Sequence, residues 1–359
     1  MTIRCCARVT RTLVALASLG LAARAQAQDS ATAARSLPPV DIHGFVQVYY
    51  RSGDPTVKDG FRLRKSDLKF SGVLSPKLKW RVTFDAAKAL AVTKTTSNVD
   101  DSAVVTDASI DQRTRILQDA ALTYIVDKSL SFDVGQQIVP LSLEGTISTS
   151  NVETIERTLF IVERSRAVGL GDIRDIGVSA NGQVLNAIEY HLGLFNETGE
   201  GAGTIDPNDQ KAFMGRVAYK PSFVRGLSVG GSGGFEGGPT KQRRERTAGE
   251  IQFRDDFITL RTEVMSARDG TLHRLGWYGL TAVRPTKRLQ LVARYDDWDR
   301  DRGGEHSLTD ATERHIVVGG SILLDTSAKI AVNAIRQTFP FISTPRSSTI
   351  ILAAFQAIF

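Results

Sequence analysis

The chain closes on STIILAAFQAIF, Ser348 to Phe359. Ile351, Ala353, Phe355, Ala357 and Phe359 recur at every second position, so the alternation runs to the last residue. Period-two alternation marks a strand whose two faces meet different surroundings. A chain end is ordinarily frayed and polar unless something ties it down. The expectation is that this strand pairs with the first one, around Gly44 to Tyr50, and so removes both sheet edges by closing a barrel. Ile351, Ala353, Phe355 and Ala357 would then face lipid, with Phe359 at the membrane interface.

The rest of the sequence repeats the pattern. From Asp41 on, sixteen alternating segments of about ten to fourteen residues follow one another, from 42–51 and 61–74 to 328–339 and 347–359. In 78–88, Leu78, Trp80, Val82, Phe84 and Ala86 oppose Lys79, Arg81, Thr83 and Asp85. In 114–127, Ala120, Leu122, Tyr124 and Val126 oppose Arg115, Asp119 and Thr123. In 187–198, Ile188, Tyr190, Leu192 and Leu194 oppose Glu189 and His191. Connections alternate in length. Short turns are expected at 75–77, 127–129, 182–183, 221–225, 255–256, 285–287 and 325–327, and long loops at 89–113, 143–173, 199–210, 299–310 and 340–346. Short turns on one side and long loops on the other are the signature of an up-and-down outer-membrane barrel with both termini at the short-turn, periplasmic end. Tyr49, Tyr50, Trp80, Tyr124, Trp277 and Tyr295 are candidates for its aromatic girdles. In 274–284, Trp277 and Tyr278 fall on opposite faces, and alternation does not orient that segment. A soluble sandwich would show the same periodicity with the apolar face turned inward.

The N-terminus favours the membrane reading. Arg4, Arg8 and Arg11 precede an apolar run from Leu13 to Ala23 and a small-x-small site at Ala25-Gln26-Ala27, as in a secretory signal peptide over 1–27. Residues 28–40 read as a flexible leader and 41–359 as the barrel. Both cysteines, Cys5 and Cys6, lie in the signal, so no disulfide framework is expected. The formal charge of +6 shrinks likewise: without four signal arginines, 41 basic residues face 39 acidic ones, and no nucleic-acid partner is expected. No later run is long and apolar enough for a transmembrane helix.

Few motifs suggest covalent chemistry. Gly230 to Gly234 matches G-x-S-x-G around Ser232, but a nucleophile elbow needs a strand, a sharp turn and a helix, and this match sits in a glycine-rich strand. Ser232 is the only nucleophile candidate should the barrel be an enzyme. The five histidines contain no H-x-x-x-H pair, and no metal or cofactor is expected. Cations are more informative. FRLRKSDLKF, 61–70, sets Lys65, Asp67 and Lys69 on one face. Lys79 and Arg81 follow on the next strand, and KQRRER, 241–246, leads into Arg244 and Arg246 at even spacing. Arg216, Lys220, Arg261 and Arg294 fall on polar faces elsewhere. Cations lining a lumen raise local anion concentration. In loop 143–173, Val152, Ile155, Leu159 and Val162 have near-helical spacing, which predicts a short helix against the inner wall that narrows the pore.

HGFVQVYYRSGD (43–54), FRLRKSDLKFSGVLSPKLKWRVTFD (61–85), DVGQQIVPLSLE (133–144), FIVERS (160–165) and RDIGVSANG (174–182) together resemble the phosphate-selective porin O and P family. The resemblance covers nearly all of 41–359. It implies a sixteen-stranded, trimeric barrel whose third loop folds inward, with an arginine ladder and a lysine cluster that conduct phosphate or polyphosphate. Arg64 and Lys65 are similar to the paired arginines of the family's second strand, and Arg51 to the basic residue ending the first. Thr149 and Ser150 resemble the hydroxyl pair of the constriction loop, and Arg164 its E-R arginine. Lysine at 65 lacks arginine's bidentate fork, and loop 143–173 is acidic in sum. The expectation is therefore an all-β, sixteen-stranded antiparallel porin for passive diffusion of small solutes or anions, phosphate included, through Arg51, Arg64, Lys65, Lys69, Arg81, Thr149, Ser150, Arg164, Arg244 and Arg246. A general or cation-tolerant porin is the alternative. Expected partners are outer-membrane lipid, lipopolysaccharide, the barrel-assembly machinery and two further copies of the chain.

Overall fold

The computed structural model describes residues 39–54, 58–90, 92–99, 102–110, 116–161, 171–196, 211–237, 243–304, 312–340 and 346–359. The expected signal peptide, nearly all of the leader, and Arg164 lie outside them. The strands are β1 (Val40–Ser52), β2 (Gly60–Ser75), β3 (Leu78–Asp85), β4 (Val92–Val99), β5 (Ser102–Ile110) and β6 (Leu117–Ile125). Then come β7 (Ser131–Ile138), β8 (Arg174–Val184), β9 (Ile188–Phe195), β10 (Ala212–Tyr219), β11 (Leu227–Gly237) and β12 (Arg243–Arg254). Last are β13 (Ile258–Asp269), β14 (Leu272–Val283), β15 (Leu289–Asp299), β16 (Thr312–Leu323), β17 (Ala328–Phe339) and β18 (Arg346–Ile358). Sixteen of them close an antiparallel barrel in chain order. β4 and β5 pair only with each other, as a hairpin inside the β3–β6 connection, the long loop expected over 89–113.

Closure runs through the chain end. β18 pairs with β1 from Phe45↔Ile358 to Ser52↔Ile351. The Gly44 amide donates to the Phe359 carbonyl at 2.6 Å, and the Phe359 amide returns a bond to the Gly44 carbonyl at 3.0 Å. The Phe359 ring lies over Gly44, where any Cβ would collide with it.

The faces separate as two solvents require. Along β13, Thr259, Arg261, Glu263, Met265 and Ala267 are buried inside the barrel while Leu260 and Val264 are exposed outside. Ile351 and Phe355 of β18 face outward, and Ile350, Leu352, Ala354 and Gln356 face inward. β14 resolves the segment that alternation left unoriented. Trp277 points out, its ring 5.2 Å from that of Tyr295, and Tyr278 is fully buried inside. Of the girdle candidates, Tyr49 faces inward instead.

Local chemistry sets the short turns. Asp127 Oδ1 accepts from the Ser129 and Leu130 amides at 2.7 and 3.2 Å. Asp255 Oδ1 does the same for Phe257 and Ile258 at 2.8 and 2.7 Å, and Asp325 Oδ1 for Ser327 and Ala328 at 2.6 and 2.8 Å. Each is an aspartate satisfying amides two and three residues on, which pre-forms a hairpin. The Ser129 hydroxyl, with the Ser129 and Leu130 amides, holds the Asp127 carboxyl below its ordinary pKa, and the Ile258 and Phe257 amides do the same for Asp255. The β8–β9 turn falls at Leu185-Asn186-Ala187, not at Gly182-Gln183, which stay paired with Tyr190 and Glu189. Leu185 and Asn186 take φ of 52° and 53°, a left-handed pair, and the Ala187 amide closes the turn on the Val184 carbonyl at 3.1 Å.

The buried apolar core lies inside the barrel, against residues 139–161. Val139, Leu141, Leu159, Phe160 and Ile161 pack with Met214, Met265, Tyr278 and Trp298 of the wall. Ile155 packs with Tyr49, Val317, Ile335 and Leu352.

Candidate functional site

Residues 139–161 carry one turn of α-helix at Leu143–Thr146 and a 3-10 turn at Thr149–Asn151, and no helix across the spacing of Val152, Ile155 and Leu159. Those side chains are buried nonetheless. Wall side chains replace the hydrogen bonds a helix would have supplied. Ser232 Oγ of β11 accepts from the Ser142 amide at 2.9 Å, and Glu263 of β13 accepts from the Leu143 and Glu144 amides at 2.8 and 3.3 Å. Asn333 Oδ1 of β17 accepts from the Ile155 amide at 2.7 Å, and Gln356 Nε2 of β18 donates to the Ser150 carbonyl at 3.3 Å.

Two wall arginines finish the attachment. Arg261 binds both carboxylate oxygens of Glu153, at 3.0 and 3.2 Å. Arg294 donates to Thr154 Oγ1 at 2.7 Å and to the carbonyls of Glu156 and Arg157 at 2.8 and 3.0 Å, while Asp296 takes its Nε at 2.9 Å. Thr158 Oγ1 in turn donates to Asp296 at 2.7 Å. Within the segment, Arg157 donates to the Glu144 and Ile147 carbonyls.

A cavity of about 380 Å³ lies between this segment and the β2–β9 side of the wall. Lys65, Lys69, Arg81, Arg157 and Arg174 line it with Asp67, Asp119, Asp133 and Asp172. Most of these charges are paired. Lys65 lies 3.4 Å from Asp67, Arg81 3.3 Å from Asp133, and Arg174 3.3 and 3.1 Å from Asp119 and Asp172. Lys69 forms no ion pair among the described residues.

A bulge determines what β2 presents. Gln47 pairs with Lys65 and Val48 with Leu63, so Arg64 is the extra residue. Both Arg64 and Lys65 thereby reach the inner face, which strict alternation forbids for neighbours. Arg64 donates to Gln47 at 2.7 Å and to Glu156 of the inserted segment at 3.1 Å.

A second cavity, of about 310 Å³, opens at the short-turn end, beside the β14–β15 and β16–β17 turns. Its cations are Arg254, Arg284, Lys287, Arg288 and Lys329, and its one carboxylate is Glu153, which Arg261 already holds. Arg254 comes within 4.0 Å of Glu153, and Arg284 donates to Thr259 Oγ1 at 2.8 Å. Lys287, Arg288 and Lys329 have no ion-pair partner among the described residues. The inserted segment borders both cavities, with Thr146 to Thr149 on the first and Ser150 to Glu153 on the second.

The residues expected to form the anion path are therefore dispersed. Lys65, Lys69, Arg81 and Thr149 line the first cavity, Ser150 lines the second, and Arg64 sits on the β2 bulge against Glu156. Arg51 pairs with Asp54 at the loop end of β1, and Arg246, 2.7 Å from Asp269, lies with Arg244 and Arg274 at the loop ends of β12–β14. Arg216, expected on a polar face, is paired with Glu250. Sequence reading did not single out Lys287, Arg288 and Lys329. Neighbouring hairpin turns stand side by side at one rim, so a lysine-arginine pair ending one turn and a lysine following the next was the available signal. Ser232 sits mid-strand, paired on both sides, with its hydroxyl committed to Ser142. That is not the geometry of a nucleophile elbow.

The sequence profile of the family described as phosphate-selective porin O and P matches residues 40–270, more than half of the chain. No curated protein sequence matches. Among solved structures, the barrel is similar to an anion-selective porin from Comamonas acidovorans (13% identity, 89% of this chain and 99% of that one, TM-score 0.58). It is similar also to the outer membrane channel DcaP of Acinetobacter baumannii (11% identity, 89% and 97%, TM-score 0.57). A third is Salmonella typhi OmpF in complex with daunomycin (8% identity, 90% and 98%, TM-score 0.60). At these identities the likeness speaks for the fold.

Proposed function

Because the chain belongs to the phosphate-selective porin O and P family, we propose that it is an outer-membrane porin through which small anions, phosphate included, diffuse passively. The observation that carries the anion preference is the second cavity, where five cations meet one carboxylate that is already bound. Fixed charge of one sign at a pore mouth concentrates the opposite ion, provided binding stays weak enough for release. The first cavity, with five cations against four carboxylates, contributes little net field by comparison. The inserted segment is the constriction on this reading, since it borders both cavities, with Thr149 on the first and Ser150 on the second. Export by a cleaved signal at 1–27, insertion by the barrel-assembly machinery, rim contacts to lipopolysaccharide and assembly as a homotrimer complete the proposal.

Reversal potentials across planar bilayers in a potassium chloride gradient test it. Anion preference is expected, and it should weaken when Lys287, Arg288 and Lys329 are replaced together by glutamine. Cation preference in the unaltered protein would refute the reading and leave a general or cation-tolerant porin.

A further inference from the structure

The second cavity is not lined by charge alone. Leu323 shares the inward parity of Ser321 on β16, and Ile358 that of Gln356 on β18, yet they remain 40% and 41% exposed. Both line the cavity that holds Lys287, Arg288 and Lys329. Elsewhere inside the barrel, large aliphatic side chains such as Val317, Ile335 and Leu352 are covered by the inserted segment. At the short-turn mouth nothing among the described residues covers Leu323 and Ile358. Apolar surface beside unpaired cations favours a solute that is itself divided, anionic at one end and apolar at the other. Inorganic phosphate would engage the cations but gain nothing from Leu323 and Ile358. The volume of about 310 Å³ lies at the lower limit of small-molecule sites, suited to one ring or a short acyl chain.

We propose that this mouth is a binding site for small organic carboxylates with an apolar body, held by Lys287, Arg288 and Lys329 at the carboxylate and by Leu323 and Ile358 at the body. The proposal rests on the anion-channel reading and specifies which anions the channel retains longest. The cations supply attraction for any anion. The apolar pair supplies discrimination, because burying about half a phenyl ring favours binding about tenfold over the same headgroup with a methyl group.

The test is single-channel recording on the full-length protein in potassium chloride, with benzoate, acetate, inorganic phosphate and benzamide added in turn. Benzoate is expected to interrupt the current at about tenfold lower concentration than acetate or phosphate, and benzamide, which lacks the charge, not to interrupt it. Leu323→Ser should bring benzoate to the level of acetate. Lys287→Gln with Arg288→Gln, at a solvated turn, should weaken block by benzoate and acetate alike. Equal block by benzoate and acetate, or strongest block by phosphate, would overturn the proposal while a preserved anion preference leaves the channel reading standing. Cation preference would remove both.

Discussion

The hold of the barrel wall on the inserted segment turns on Arg294. Its guanidinium makes four hydrogen bonds, three of them to Thr154, Glu156 and Arg157 of the segment and one to Asp296. Arg294→Met keeps much of the aliphatic volume and removes all four. Breaking a buried ion pair from one side costs about 3–5 kcal/mol, because the other charge stays behind unpaired. Here Asp296 stays, with only Thr158 Oγ1 among the described residues still donating to it. The loss falls on the attachment of 154–158, since β15 keeps its ladders with β14 and β16. At about 1.4 kcal/mol per decade, opening of the segment should become roughly 100- to 4000-fold more frequent. A thiol at position 155 reads this directly. Ile155 is sealed between Tyr49, Val317, Ile335 and Leu352, and the only native cysteines are Cys5 and Cys6. A polar thiol reagent should therefore label Ile155→Cys slowly, and label Ile155→Cys with Arg294→Met faster by that factor, with higher and noisier single-channel current. Arg294→Lys should fall between the two, because an ammonium cannot span the same acceptors. A labelling rate changed less than about threefold, with unchanged conductance, would show that Arg294 does not hold the segment.

Two further predictions concern the chain end and the glycine-rich strand. Deleting Phe359 removes both backbone bonds to Gly44 and should reduce heat-modifiable, trimeric protein in the membrane more than it alters the conductance of channels that do form. Normal trimer yield would count against the closure argument. Ser232→Ala should leave channel conductance within error and raise exchange of the Ser142 amide by about tenfold, the loss of one buried hydrogen bond, whereas a lost hydrolytic activity would reinstate the serine as a nucleophile.

The wall was legible because every strand answers to two solvents. A one-residue error would turn an entire apolar face into the lumen, so the alternation fixes strand position tightly. It fails where that constraint lapses. β2 carries Arg64 and Lys65 on the same face because a bulge absorbs one residue, and nothing in FRLRKSDLKF marks which residue is extra. The β4–β5 hairpin lies outside the barrel sheet, so its strands are free of the pattern used to find the others. The spacing of Val152, Ile155 and Leu159 correctly marked buried positions and wrongly marked a helix. The backbone of this stretch is satisfied instead by side chains: Asn333 takes the Ile155 amide, Arg294 the Glu156 carbonyl and Glu144 the Thr158 amide, and partners far away in sequence such as Asn333 and Arg294 leave no local trace.

The same distinction separates two kinds of arginine that look alike in the sequence. Arg261 and Arg294 fall on lumen faces at strand spacing, as rungs of an ion path would, yet an acid or a row of carbonyls stands within reach of each. A guanidinium held by buried acceptors has few donors left for a passing ion, and its field is cancelled locally by its partner. Lys287, Arg288 and Lys329 look unremarkable, being attached to turns that any outer-membrane barrel needs. Among the described residues that line their cavity there is one carboxylate, Glu153, and Arg261 occupies it. Arg261 thus acts on the pore at one remove: by neutralising Glu153 it keeps the mouth cationic while pinning the segment above it. Replacing Arg261 by glutamine would both loosen that segment and free a carboxylate among the cations, so conductance should rise as anion preference falls. A rung that contacted the ion directly would lose anion preference without the rise in conductance, and the two outcomes separate a staple from a ladder in one recording.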